Sequence, residues 1–187
     1  MESTELLHRA LDHATAVVEA ITPDQMSNKT PCREFDVRTL LNHTTASVQA
    51  FAGAATGDTL DMSLYGEDLI GDDPSGAFKQ AADNLRAATA NAAALTRPWG
   101  MPSGEMPGER AIAIPIIEVA QHGWDLARAT KQPRSLDDAM AEEVLGIAKE
   151  YMPPDDQRPA EMFGPSVSIS ESAPPADRLA AFLGRKT

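Results

Sequence analysis

Cysteine is almost absent from this chain, since Cys32 is the only one among 187 residues. A single cysteine excludes a framework of internal disulfides and a zinc site built from several thiolates. Long apolar runs are also missing. The longest block, residues 111–117, is interrupted by Pro115, and a membrane span needs roughly 18 apolar residues. The first residues, MESTELLHRA, are acidic and polar where a signal peptide would be basic and then apolar. We therefore expect a cytoplasmic location.

Basic side chains are few as well, with 16 Lys and Arg against 28 Asp and Glu, for a net charge of −12. A field of this sign repels phosphate backbones and anionic membrane surfaces, which disfavours nucleic acid and membrane as partners. The hydrophobic fraction of 42% is ordinary for a globular protein. The length suits one sizeable core, so we predict one domain over residues 1–187 with a tail from about residue 152.

Apolar residues recur with helical periodicity, and no convincing pattern of alternating strands is present. The pattern predicts an all-α fold, a four-helix bundle with an additional C-terminal helix and a short irregular tail. Asp36 stands where an N-cap belongs, and Gly57 should close the helix that follows it. The predicted helices cover about residues 4–21, 37–55, 75–95, 112–130 and 136–151, with a last turn over 177–183. Loops are predicted over 57–76 and 97–108, and the tail segment PSVSIS is a candidate short strand.

The four histidines are the natural candidates for metal ligands. Glu118 and His122 have the i, i+4 spacing that puts two side chains on one helix face. This spacing alone does not identify a metal site, because His8 and Asp12 are also four residues apart. His8 falls on the charged face of the first helix, which predicts a solvated surface residue. His13 lies at the edge of the apolar stripe and is ambiguous.

Orientation on the helices separates the remaining candidates. His43 lies on the shoulder of the apolar stripe of the second helix, and Glu118 and His122 share a shoulder of the fourth, whose outer face holds Gln121 and Arg128. Two imidazoles and a carboxylate suit zinc or a similar divalent ion, and three ligands would leave a position open for water or substrate. The alternative is a hydrogen-bonded Glu118–His122 pair without metal.

Two segments, TPCREFDVRTLLNH and IIEVAQHGWDLARAT, resemble the metal-binding domain of the mycothiol-dependent maleylpyruvate isomerase family, within the DinB/YfiT-like superfamily. The tail APPADRLAAFLGR is similar to that of stand-alone members. The resemblance implies a four-helix bundle whose metal, zinc first and nickel or another divalent ion as alternatives, is held by His43, Glu118 and His122. Phe35 stands where relatives commonly have tryptophan. Pro115 should either occupy the first turn of its helix or kink it, which affects the aim of Glu118.

Neighbouring residues support simpler interpretations. Asp125, one turn beyond His122, is predicted either to orient that histidine as a hydrogen-bond acceptor or to pair with Arg128 at the surface. Trp124 is predicted to serve packing. Asn42 is predicted to face outward and to be inert. Cys32 is predicted to be a small buried apolar residue.

The resemblance implies a metal-dependent transferase or isomerase that uses a small thiol, such as mycothiol or bacillithiol, to attack an electrophile. The reacting group would be a metal-bound water or thiol. The isomerases that name the family carry a further C-terminal domain, and this chain is too short for a full one, so their own reaction is not expected to transfer. A non-enzymatic metal-binding or sensing module with a protein partner is an alternative, as is a structural or empty site. A fourth ligand such as His13 would favour a structural role. Related bundles often pair, so a homodimer is a further expectation.

Overall fold

The computed structural model describes residues 2–33, 35–133, 136–158 and 163–187. Met1, and Glu34 of the TPCREFDVRTLLNH segment, lie outside these ranges. The fold is all-α, as predicted, and its four principal helices pack so that α1 and α2 each contact both α3 and α6. The helices and strands are α1 Ser3–Val18, α2 Val37–Thr56, α3 Pro74–Thr89, α4 Ala93–Thr96, β1 Pro98–Met101, β2 Gly104–Pro107, α5 Gly108–Ala111, α6 Ala113–Ala129, α7 Asp138–Tyr151 and α8 Pro175–Phe182.

Both ends of α2 are set by residues that the sequence identified. The Asp36 side chain accepts a hydrogen bond from the backbone N–H of Thr39 at 2.8 Å, which satisfies one of the free donors at the helix start. The same contact holds the pKa of Asp36 below its usual value. Gly57 follows the last turn with a φ of 114°, a left-handed conformation that favours glycine. These local signals position the helix that carries His43.

Replacing Asp36 with alanine should lower the free energy of unfolding by about 1 kcal/mol, because the cap of α2 is lost. Chemical denaturation monitored by circular dichroism would measure the change. Asp36→Asn is the matched control, since asparagine is an equally good N-cap, and it should stay close to wild type. Equal losses in both variants would show that the carboxylate charge, and not the cap, supplies the stability.

The region after α3 differs from the prediction. One helix was predicted over residues 75–95, but α3 ends at Thr89 and the short α4 follows. The predicted loop over 97–108 contains the antiparallel hairpin β1–β2, in which Trp99 pairs with Met106. Trp99 is fully buried and its indole N–H donates to the carbonyl of Ala94 at 2.8 Å. Two four-residue strands are too short to show alternation, so burial of this tryptophan could not be read from the sequence.

Pro115 is the third residue of α6, where the backbone N–H groups have no partner within the helix. The proline therefore costs α6 no internal hydrogen bond, and the helix runs unbroken to Ala129. The first-turn alternative is the correct one. The helix also approaches α1 closely, because a Cβ on Gly123 would lie 3.0 Å from Nδ1 of His13.

The C-terminal elements cover one side of α6. The helix α7 packs on α6, and α8 packs on both α6 and α7. The prediction of a short strand at PSVSIS is wrong, since residues 165–170 form no strand. A continuous cluster of buried apolar side chains joins the principal helices to α7 and α8. No helix in the described ranges is both long enough and apolar enough to cross a bilayer.

Candidate metal centre

The structure brings the three predicted ligands together where α2 faces α6. Nε2 of His122 lies 3.2 Å from Oε2 of Glu118, and Nε2 of His43 lies 3.6 Å from the same oxygen. One donor atom from each residue lies within 4.8 Å of the other two. Ligand atoms of a tetrahedral zinc ion are about 3.3 Å apart. The two distances to Glu118 are therefore close to the spacing of ligand atoms around one divalent ion.

The three side chains differ in their exposure. The His122 side chain is 4% exposed, that of Glu118 is 19% exposed and that of His43 is 29% exposed. His122 therefore forms the floor of the site, and the solvent side lies toward Glu118 and His43. A partly buried carboxylate needs a partner, and here it has two imidazoles.

Electrostatics link Glu118 and His122. Burial alone would raise the pKa of Glu118, but the His122 and His43 imidazoles hold it well below its usual range. Burial alone would lower the pKa of His122, but the carboxylates of Glu118 and Asp125 raise it to about 9. Without a metal the two residues therefore form an ionised, hydrogen-bonded pair at neutral pH. A metal ion would replace the proton of His122.

Asp125 sets the orientation of the His122 ring. Its side chain is fully buried, and Oδ2 lies 3.2 Å from Nδ1 of His122. The imidazole Nδ1–H donates to this carboxylate, which leaves Nε2 facing Glu118 and His43. Metal-binding histidines are commonly held in this way. The cation beside Asp125 is Arg185, from the C-terminal segment, and not Arg128.

Gln121 belongs to the same buried group. It is 0% exposed, and its side-chain amide donates to Oδ1 of Asp125 at 3.2 Å. Its predicted place on the outer face of the helix is wrong, because the residue is buried beside the Asp125–Arg185 pair. Trp124 is buried, in agreement with a packing role, and the Arg128 guanidinium lies over its ring.

Aromatic rings lie against the two candidate ligand histidines. Phe35 and Tyr65 each lie with the ring centroid 5.3 Å from that of His43, and Phe163 lies 5.9 Å from His122. Tyr65 is hydrogen-bonded to Ser47, and burial raises the pKa of its hydroxyl, so it remains protonated at neutral pH. These rings form an apolar wall that limits access of water to the imidazoles.

Asn42 holds the segment that carries Tyr65. Its side-chain oxygen accepts from the N–H of Leu69, and its amide donates to the carbonyl of Glu67, both at 2.8 Å. The prediction that Asn42 is inert is therefore wrong. Its location on the outer side of α2 is what allows it to bind the loop after residue 57.

Cys32 also lies at the centre, which differs from its predicted role as a buried apolar residue. The thiol is half-buried, and Sγ lies within 4.8 Å of donor atoms of His122 and Asp125. The loop before α2 supplies both Cys32 and Phe35. This second grouping shares only His122 with the first.

The other two histidines lie elsewhere. His8 is half-buried, with Nε2 3.1 Å from Oγ1 of Thr89, and burial lowers its pKa, so the prediction of a solvated residue is wrong. His13 packs against Gly123. Neither histidine belongs to a ligand grouping in the part of the chain that the structure describes.

Sequence reasoning missed Tyr65, Phe163 and Arg185. Tyr65 lies in a predicted loop, in the 3-10 turn Met62–Gly66, and the other two lie in the tail. The one signal for Arg185 is its position directly after Gly184, because the residue after a helix-ending glycine often packs back against that helix. Nothing in the sequence indicates which buried acid it would meet.

The family model of the mycothiol maleylpyruvate isomerase N-terminal domain matches residues 7–127. The chain belongs to this family. Two Mycobacterium tuberculosis proteins, the uncharacterized protein MT0763 of strain CDC 1551 and the uncharacterized protein Rv0738 of strain H37Rv, are each 30% identical to it over 177 residues. The alignment covers 95% of this chain and 94% of each relative.

The crystal structure of the mycothiol-dependent maleylpyruvate isomerase has the same fold, with a TM-score of 0.62 at 15% identity over 78% of this chain. A histidine-to-alanine mutant of that isomerase matches with a TM-score of 0.62 at 14% identity. The chain spans 66% of the length of the solved isomerase. The family match includes His43, Glu118, His122 and Asp125 and ends before Phe163 and Arg185.

Proposed function

We propose that this family member is a divalent-metal-dependent transferase or isomerase that acts with a small thiol such as mycothiol. The observation that carries the proposal is the convergence of three donor atoms from two helices, with separations of 3.2 and 3.6 Å on Glu118. The metal ligands are His43, Glu118 and His122, and zinc suits this donor set best. The family is named after a mycothiol-dependent isomerase, which supports a thiol as the cofactor.

The donor set suits binding of a thiolate. Glu118 contributes one negative charge and the two imidazoles are neutral when they bind metal, so the loaded site keeps a net positive charge. The Asp125–Arg185 pair adds none. A bound divalent ion would lower the pKa of a thiol and polarise an electrophile. A thiol would reach a bound ion from the solvent side, where Glu118 and His43 are partly exposed.

The proposal predicts thiol transfer by the zinc-loaded protein. With mycothiol and a chlorodinitrobenzene, the reaction forms a carbon–sulfur bond and releases chloride and a proton. The absorbance of the thioether product would follow the rate. His43→Ala should lower the rate by more than about 100-fold, beyond what loss of an outer partner costs. His8→Ala, which removes a histidine outside both ligand groupings, should keep the wild-type rate. Absence of both turnover and thiol binding with every small thiol tested would contradict the transferase function.

A second candidate is a non-enzymatic metal-binding or sensing module that binds a protein partner. The nearness of Cys32 to His122 favours testing it, because a cysteine ligand would close the coordination shell. X-ray absorption of the zinc-loaded protein separates the two. Sulfur bound before any thiol is added supports the module, and sulfur that appears only with mycothiol supports the enzyme. We infer a cytoplasmic location from the proposed thiol cofactor, and the homodimer stays a prediction.

A further inference from the structure

Arg185 is a buried cation that the C-terminal segment places beside the candidate metal centre. The residue is 5% exposed. Its Nη2 lies 2.8 Å from Oδ2 of Asp125, its Nε lies 3.2 Å from Oδ1, and Nη1 donates to the carbonyl of Leu183 at 2.7 Å. Its guanidinium carbon lies 4.9 Å from the ring centroid of Phe163, the aromatic residue that neighbours His122. The guanidinium thus meets a carboxylate, a backbone carbonyl and an aromatic ring in the same small region.

The backbone after α8 is built to turn Arg185 inward. The N–H of Gly184 donates to the carbonyl of Ala181 at 3.0 Å, and the N–H of Arg185 donates to Ala180 at 2.8 Å. These two bonds form a Schellman ending, which needs a left-handed residue, and Gly184 has a φ of 86°. A Cβ there would also lie 2.9 Å from the backbone of Gly164. Glycine is therefore required both for the turn and for the close packing beside it.

Arg185 determines how Asp125 can act on His122. A fully buried carboxylate is costly without compensation, and a planar guanidinium that binds both oxygens fixes the carboxylate in one orientation. Oδ2 of Asp125, which accepts the hydrogen bond from Nη2 of Arg185, is also the oxygen that lies 3.2 Å from Nδ1 of His122. Arg185 therefore fixes the Asp125 carboxylate, and this carboxylate in turn orients the His122 ring, whose Nε2 must face the metal.

We propose that Arg185 is a positioning residue of the metal centre, acting through Asp125 on His122, so that docking of the C-terminal segment and metal binding stabilise each other. The inference rests on the metal site of the proposed function. It assigns a role in that site to a residue beyond the 7–127 match to the family. Because the coupling is a linkage between two equilibria, it must act in both directions.

The test compares Arg185→Met and Arg185→Lys with the control Arg178→Met. Arg178 lies in α8 and pairs with Glu142 on α7, so its loss weakens the same segment without touching Asp125. Zinc affinity from chelator competition should fall by about 10- to 100-fold in Arg185→Met and by less in Arg185→Lys, which keeps the charge. The visible absorption of the cobalt-loaded protein should change in both Arg185 variants and stay unchanged in Arg178→Met.

A double-mutant cycle tests the route through Asp125. In the background of Asp125→Asn, the further change Arg185→Met should alter zinc affinity by less than about threefold, because neighbours that act through one another are not additive. The double variant buries no unpaired charge, so it remains measurable if Arg185→Met alone does not fold. Full additivity, or an equal loss of affinity in Arg178→Met, would overturn the positioning role.

Amide hydrogen exchange tests the reverse direction. Zinc should slow exchange in α8 of the wild type and leave it unchanged in Arg185→Met, since only the wild type links the segment to the ligand. The failures are distinguishable. A wild type that binds no zinc contradicts the metal site itself. If the wild type binds zinc, and Arg185→Met has the same zinc affinity and the same cobalt spectrum as the wild type, only the inference on Arg185 is contradicted.

Discussion

Replacing His122 with alanine should lower the affinity for zinc by more than about 100-fold, which exceeds the cost of losing an outer partner. His122 is the most buried of the three proposed ligands, and its Nε2 lies closer to Glu118 than that of His43, at 3.2 Å. Its loss leaves one donor on each of two helices, and two donors cannot retain zinc against a chelator. His43→Ala should act in the same direction. Elemental analysis after dialysis, followed by chelator competition, would measure both effects.

His8→Ala is the matched control for these variants. It removes a half-buried histidine that contacts Thr89 at 3.1 Å and should leave zinc content at the wild-type level. Circular dichroism would establish that the helices persist, which we expect for His122→Ala because the Asp125–Arg185 pair does not depend on the imidazole. Equal zinc content in wild type, His43→Ala and His122→Ala would show that the ligands have been misassigned.

Zinc affinity should decrease as the pH falls below about 9, the value to which the pKa of His122 is raised in the metal-free protein. Burial opposes this shift, and the carboxylates of Glu118 and Asp125 outweigh it. A ligand imidazole must be neutral, so each bound zinc displaces this proton. One proton corresponds to a tenfold change per pH unit, or about 1000-fold between pH 9 and pH 6. Chelator competition across this range would measure the slope.

Calorimetry in buffers of different ionisation enthalpy independently counts the protons that are released when zinc binds. Near pH 7.5, zinc binding should release about one proton from His122, and none from Glu118, whose pKa is held well below its usual range. Binding without proton release would contradict the assignment.

Metal-free stability should have the opposite dependence on pH. The pKa of His122 is higher in the folded protein than the ordinary histidine value of 6.5, so the stability that it contributes is complete below about pH 6.5 and is lost as the pH rises through 9. The Glu118 and Asp125 carboxylates cause this rise in pKa, and burial of the imidazole opposes it. The melting temperature of chelator-treated protein should therefore fall between these values, and zinc should remove the fall.

The parts of the fold that could be predicted are those set within a few residues of chain. The start of α2 follows from Asp36 and its end from Gly57, since a cap acts on N–H or C=O groups one turn away. The hairpin around Trp99 could not be predicted in this way. Its strands are stabilised by pairing with each other and by burial of the Trp99 indole. Neither effect produces a periodic pattern of apolar residues in the sequence.

The candidate ligands show the same division. Helical periodicity places His43, Glu118 and His122 on the inner shoulders of two helices, and the resemblance to the family selects the same three residues. The outer faces were misjudged. Gln121 is buried beside Asp125, and Asn42 binds the loop at Glu67. A helical wheel misses both contacts because it counts any polar face as solvent-exposed.

The sequence by itself determined the helical class and the ends of α2, and it selected three candidate donor side chains, because these depend on composition and on spacings of three or four residues. Only the tertiary structure decided that Arg185 compensates Asp125, that Cys32 and Tyr65 lie beside the ligands, and that Pro115 leaves α6 unbroken up to Glu118. These contacts depend on where loops and the tail pack. Packing is determined by surface buried between distant segments, which no local pattern records.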